Sequence, residues 1–105
     1  MKNVFWHSEA KVGRKLVADY IRWQFGLKRK RKFIQEVDHV VSMLVISPNL
    51  GSIDPLFADR PVAYRSIIIN GLSKMVYRVD DDVIHIVGFW DTRQEPEAQA
   101  AQVKE

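Results

Sequence analysis

The chain has 105 residues, 47% of them apolar and 28% charged, enough for one packed core and no more. It has no cysteine, which excludes a disulfide framework and a thiolate zinc site, and no apolar run of bilayer length or long apolar leader, so a cytoplasmic protein without membrane contact is expected. Sixteen lysines and arginines against thirteen acids leave a net charge of +3, a mild excess that favours an anionic partner.

In chain order, Val4, Phe5 and Trp6 read as a short strand. Ser8 is a natural helix N-cap, Leu16, Val17, Tyr20 and Ile21 follow at helical spacing, and Gly26 is a natural stop. A second helix is expected from about Lys28 to Ser47. Phe33, Val37, Val40, Val41, Leu44 and Val45 recur there at intervals of 4, 3, 1, 3 and 1, the apolar stripe of an amphipathic helix. Pro48 ends it, because proline forces its predecessor out of the α region. With so little chain between them, the two helices must form an antiparallel hairpin.

Residues 64–96 carry a three-stranded antiparallel meander. Tyr64 and Arg65 lead into Ile67, Ile68 and Ile69, which have high β propensity. Asn70-Gly71 is a strong hairpin signal, Ser73 to Val79 resumes the strand, and Asp80-Asp81-Asp82 breaks it before Val83 to Val87. Alternation puts Met75, Tyr77, Val79, Ile84 and Ile86 on a core face, and Lys74, Val76, Arg78, His85, Val87 and Phe89 on the other. The second face mixes cations with apolar groups, so it needs a cover, either a tail or a partner. The expected order is β-α-α-β-β-β, an α+β fold with a helical hairpin on a small, mainly antiparallel sheet. One domain spans residues 1–96. Residues 97–105 form a polar, alanine-rich tail, either a short helix or a frayed end.

The chemistry-bearing residues are scattered. Lys28, Arg29, Lys30, Arg31 and Lys32 are five consecutive cations at a helix start. They oppose the helix dipole, a cost an anionic partner would offset; the ordinary alternative is a solvated helix end. Arg65 and Arg93 have the planar fork that suits phosphate or carboxylate, with surface ion pairs as the alternative. His85 on a strand is more often structural than catalytic. His7, His39 and His85 lack ligand spacing, so no metal is expected. Trp90 reads as half core, its indole N–H needing a partner. Asp91 can cap a turn, orient Arg93 or serve as a base. No Ser-His-Asp set, glycine-rich phosphate loop or paired carboxylates emerges, and no cofactor is expected.

The helical hairpin ending in SPNLG, the strand start YRSIII, the segment VYRVDDDVIHIV and the closing FWDTRQEP together resemble the RelE/ParE superfamily of bacterial type II toxins. The resemblance covers about residues 3–96. It implies an antitoxin partner that wraps the toxin, and one of two targets: mRNA cut in the ribosomal A site, as by RelE-like members, or DNA gyrase, poisoned by ParE-like members. On the leading expectation, metal-independent mRNA cleavage, Arg65, Arg78 and Arg93 bind the scissile phosphate while His85 or Asp91 moves protons. Lys28 to Lys32, Lys74 and Trp90 would then contact nucleic acid or partner. At the family's late histidine or tyrosine acid, this chain has Phe89, Trp90, Asp91, Thr92 and Arg93. That departure favours the alternative of a non-enzymatic gyrase inhibitor; an inactive antitoxin-binding relic is the third reading.

Overall fold

The computed structural model describes residues 2–93 together with Ala98, Ala100, Ala101 and Val103. A short strand β1 (Asn3–Trp6) leads into helix α1 (Ser8–Phe25), and Gly26 alone turns the chain into helix α2 (Leu27–Ile46). Gly26 adopts φ +96°, a conformation that costs glycine little. The first helix begins at Ser8 itself, with His7 in the N-cap position and no side-chain cap. The expected Ser8 cap is therefore not made.

After α2 come β2 (Ser52–Ile53), a 3-10 turn at Pro55–Phe57, β3 (Arg65–Ile69), β4 (Ser73–Asp80) and β5 (Val83–Asp91). The five strands form one sheet in the order β1-β5-β4-β3-β2. Pairing is antiparallel except between β1 and β5. The short β2 and the 3-10 turn are additions to the expected order. Two residues of strand carry too little periodicity to be read from sequence.

The turns follow their residues. Asn70 and Gly71 both take positive φ, at 60° and 68°, and Leu72 N–H bonds back to the Ile69 carbonyl, the backbone of a type I′ turn with one extra residue. Asp81 takes φ 52° in the second turn, a conformation that aspartate tolerates better than most residues.

The helical hairpin covers one sheet face. Phe33, Val37 and Leu44 of α2 and Ala10 and Ala18 of α1 pack with Met75, Tyr77, Ile84, Ile86 and Phe89 in the main core. Gly13 makes the closest approach: a Cβ there would stand 1.8 Å from the Phe89 carbonyl oxygen, so only glycine lets α1 lie this tightly on β5. Phe89 was expected on the opposite face. The register shifts between Val76 and Tyr77, which pair with Gly88 and Ile86, so β5 has an extra residue there. Such a bulge inverts the alternation, turning Phe89 toward the helices and Trp90 away.

Candidate functional site

The second sheet face is not bare. Val76, Val87 and Trp90 form a smaller core with Phe57, Tyr64 and Val103, against which Leu56 and Ala100 also pack. The cover is thus the chain's own: the loop after β2 together with Ala100 and Val103; Ala98, Ala100 and Ala101 are helical. Arg60 clamps these C-terminal residues. One guanidinium nitrogen donates to the Val103 carbonyl at 2.6 Å and the other to the Ala100 carbonyl at 2.8 Å. Beneath the cover, the Tyr64 hydroxyl and the Trp90 indole N–H are buried with no hydrogen-bond partner among the described residues.

Lys74 lies at the rim of this face. Its Nζ is 2.6 Å from Asp54 Oδ2, with side chains 15% and 6% exposed, and 5.9 Å from the Phe57 ring centre. Asp54 Oδ1 accepts from the Leu56 N–H, starting the 3-10 turn. Burial pushes the Asp54 carboxyl up, but Lys74, the Leu56 N–H and Ser66 outweigh it and hold it below the usual carboxylate range. Lys74 is therefore first a structural ion-pair partner.

Farther along the same face, Arg78 is the cross-strand neighbour of His85. His85 Nδ1 is 2.9 Å from His7 Nε2, and Phe5 lies against both rings. One imidazole must accept in an N–H···N contact, so at least one is neutral. Arg78 also lies 3.5 Å from Asp80. Only the parallel pairing of β1 with β5 brings His7 there.

The other expected catalytic residues stand elsewhere. Arg65 is the cross-strand neighbour of Tyr77 and so shares its helix-side face. It donates to the Gly51 carbonyl at 2.7 Å, beside the Tyr77 hydroxyl, which receives the Gly51 N–H and donates to the Pro48 carbonyl. Burial pushes the Tyr77 hydroxyl up, only partly offset by Gly51 and Arg65. At the end of β5, Asp91 accepts from the Arg93 backbone and from both ends of its fork, at 2.7–3.0 Å. The Arg93 fork lowers the Asp91 carboxyl, and Asp91 with Tyr20 raises Arg93 further. Asp91 thus does two of the three jobs open to it: it caps the turn and orients Arg93.

Of the five expected catalytic residues, Arg78 and His85 are together, Asp91 and Arg93 are together, and Arg65 is with neither pair. In the basic run, Lys30 lies 3.8 Å from Asp19 and Arg29 stacks 5.2 Å over Phe25. Among the described residues no three His, Asp or Glu side chains gather as a metal site, and no helix is long and apolar enough to cross a membrane.

One surface escaped the sequence reading. Val12, Leu16, Tyr20 and Trp23 on α1 are all exposed, at intervals of 4, 4 and 3. They form a stripe of their own, beside a cavity of about 510 Å³ lined by Gly13, Val17, Phe89 and Asp91 among others. Leu16 and Tyr20 share helical spacing with Val17 and Ile21, which do pack against the core, so spacing alone does not separate the two stripes.

No family model matches the sequence, and no curated protein matches it. Among solved structures, a chain titled "Chromosomal ParDE TA system from P. aeruginosa" is similar in fold. It has a TM-score of 0.69 at 20% identity, covering 87% of this chain and 96% of that one. Two helices on a five-stranded mixed sheet thus form a ParE-like α+β fold.

Proposed function

We propose that this chain is the toxin half of a toxin–antitoxin pair, and that it acts as a ParE-like, non-enzymatic poison of DNA gyrase. The observation that carries the reading is the scatter of its charged groups on a fold shared with a ParDE chain. Cleaving RNA without metal requires a proton acceptor, a proton donor and a phosphate-stabilising cation around one phosphodiester. Here Arg93 is forked onto Asp91, Arg65 donates to the Gly51 carbonyl, and His85 contacts His7. A target bound by surface contacts alone has no need of their convergence.

The antitoxin is then best accommodated on α1. Much of the second sheet face is covered by Leu56 and Phe57 of the loop after β2 and by Ala100 and Val103. The stripe of Val12, Leu16 and Tyr20 is exposed and flanked by Lys11, Lys15 and Arg22, all exposed. An amphipathic helix with acidic residues beside its apolar face complements that surface.

A second reading, mRNA cleavage, is favoured by the Arg78, His85 and His7 cluster, which offers a cation and two imidazoles within one patch. Controlled expression in a bacterial host separates the two. The gyrase reading expects induction of the DNA-damage response before any loss of mRNA, and unchanged toxicity of His85→Ala. Early decay of translated mRNA, abolished by His85→Ala, would replace it with the nuclease reading.

A further inference from the structure

The tip of the helical hairpin combines two features, of which the proposed antitoxin surface draws only on Arg22. Residues 22–32 contain six cations and no acid, against a net charge of +3 for the whole chain, so everything else sums to −3. Within the same stretch Trp23 is 81% exposed, Phe25 51% and Leu27 42%. Large apolar side chains on a bare surface mark a contact, and a cation cluster specifies its sign.

The local geometry narrows the partner. Arg29 places its guanidinium carbon 5.2 Å from the centre of the Phe25 ring, a cation–π contact. Lys28, Arg31 and Lys32 are exposed, while Lys30 leans 3.8 Å from Asp19, which Lys15 already holds at 2.8 Å. The first turn of α2 has no acid and no side-chain cap, so its N-terminal dipole adds to the positive field. Flat rings among solvated cations fit a strand that offers both phosphates and unstacked bases. A duplex hides its base faces and so cannot use the exposed rings. An interfacial membrane helix lays a long apolar face into lipid, whereas only Trp23, Phe25 and Leu27 are exposed at this tip.

We propose that the hairpin tip docks single-stranded nucleic acid, with Trp23 and Phe25 stacking on bases and Lys28, Arg31 and Lys32 meeting phosphates. The surface is separate from the second sheet face, and its test needs no toxicity. A fluorescently labelled oligodeoxythymidylate is titrated with the full chain at several salt concentrations, beside heparin and phosphatidylserine vesicles. Trp23→Ala and Phe25→Ala are each expected to weaken oligonucleotide binding about tenfold, within the range for losing one stacked base, without changing its salt dependence. Trp23→Phe should retain most of the affinity. The Lys28→Gln, Arg31→Gln, Lys32→Gln variant should flatten the salt slope by about two, at roughly 0.7 per phosphate on a single strand. These side chains are exposed, so unchanged melting curves will verify folding. Heparin binding as tight as the oligonucleotide's, with both alanine variants at parental affinity, would overturn the proposal in favour of a plain polycation. Binding to vesicles but not to oligonucleotide would overturn it in favour of a membrane surface.

Discussion

Replacing Lys74 with methionine tests whether this cation serves the fold or a partner. The substitution keeps the length and apolar stem but removes the charge that faces Asp54 at 2.6 Å. Breaking a buried pair by removing one member costs about 3–5 kcal/mol, because a charge is left uncompensated. Asp54 is 6% exposed and Lys74 15%, and the Leu56 N–H still reaches Oδ1, so the low end, about 3 kcal/mol, is expected. For a chain this size that lowers Tm by on the order of 15 °C. The pH profile should also change sign. In the parent, the Asp54 carboxyl lies below its ordinary value. Its stabilising contribution is therefore present above the unfolded pKa of about 3.9 and is lost as pH falls through the folded value. Without Lys74, burial is opposed only by the Leu56 N–H and Ser66, and the folded pKa is expected to rise above the unfolded one. The variant should then be most stable below about pH 4 and lose stability as pH climbs through the raised value. Denaturant melts of both proteins between about pH 4 and 7 would read this directly. Equal stability and parallel profiles would refute the structural assignment and leave Lys74 as a contact residue.

Gly13→Ala places a Cβ 1.8 Å from the Phe89 carbonyl oxygen, which cannot swing aside as a side chain would. The helix must lift from β5, and thermal melting should show a loss of at least about 1–3 kcal/mol; a parental Tm would disprove the close approach. Arg60→Ala removes both donors to the Ala100 and Val103 carbonyls, each charge-assisted bond contributing about 1.5–3 kcal/mol. The C-terminal segment should release, uncovering Trp90 and increasing acrylamide quenching of tryptophan fluorescence while the main core still melts cooperatively. Quenching identical to the parent's would mean that the segment does not depend on the clamp.

The helices, the meander and both its turns were legible because each is written locally. The Phe33-to-Val45 stripe sets α2, Gly26 sets the hairpin, and Asn70-Gly71 sets a turn that needs two positive φ angles. Non-local facts were not legible. The bulge that turns Phe89 toward α1 arises from pairing between strands, and strict alternation along one strand cannot reveal it. The meeting of His7 with His85 requires the parallel pairing of β1 and β5, across 78 residues of chain. The cover on the second face was anticipated as a tail or a partner. Which of the two depended on Arg60, whose fork reaches carbonyls 40 and 43 residues away. The expected catalytic set was assembled by resemblance to a family and not by geometry, and its members occupy three places on the fold.

The central claim is that the chain acts on gyrase by binding and cuts no RNA. Purified protein added to DNA gyrase, relaxed plasmid and ATP tests it most directly, with translating ribosomes and a labelled mRNA assayed in parallel. The account predicts that supercoiling stops and that gyrase-linked cleaved DNA accumulates. It also predicts that an equimolar helical antitoxin segment reverses both effects, and that the mRNA stays intact. Normal supercoiling together with cleavage of the ribosome-bound mRNA would contradict it.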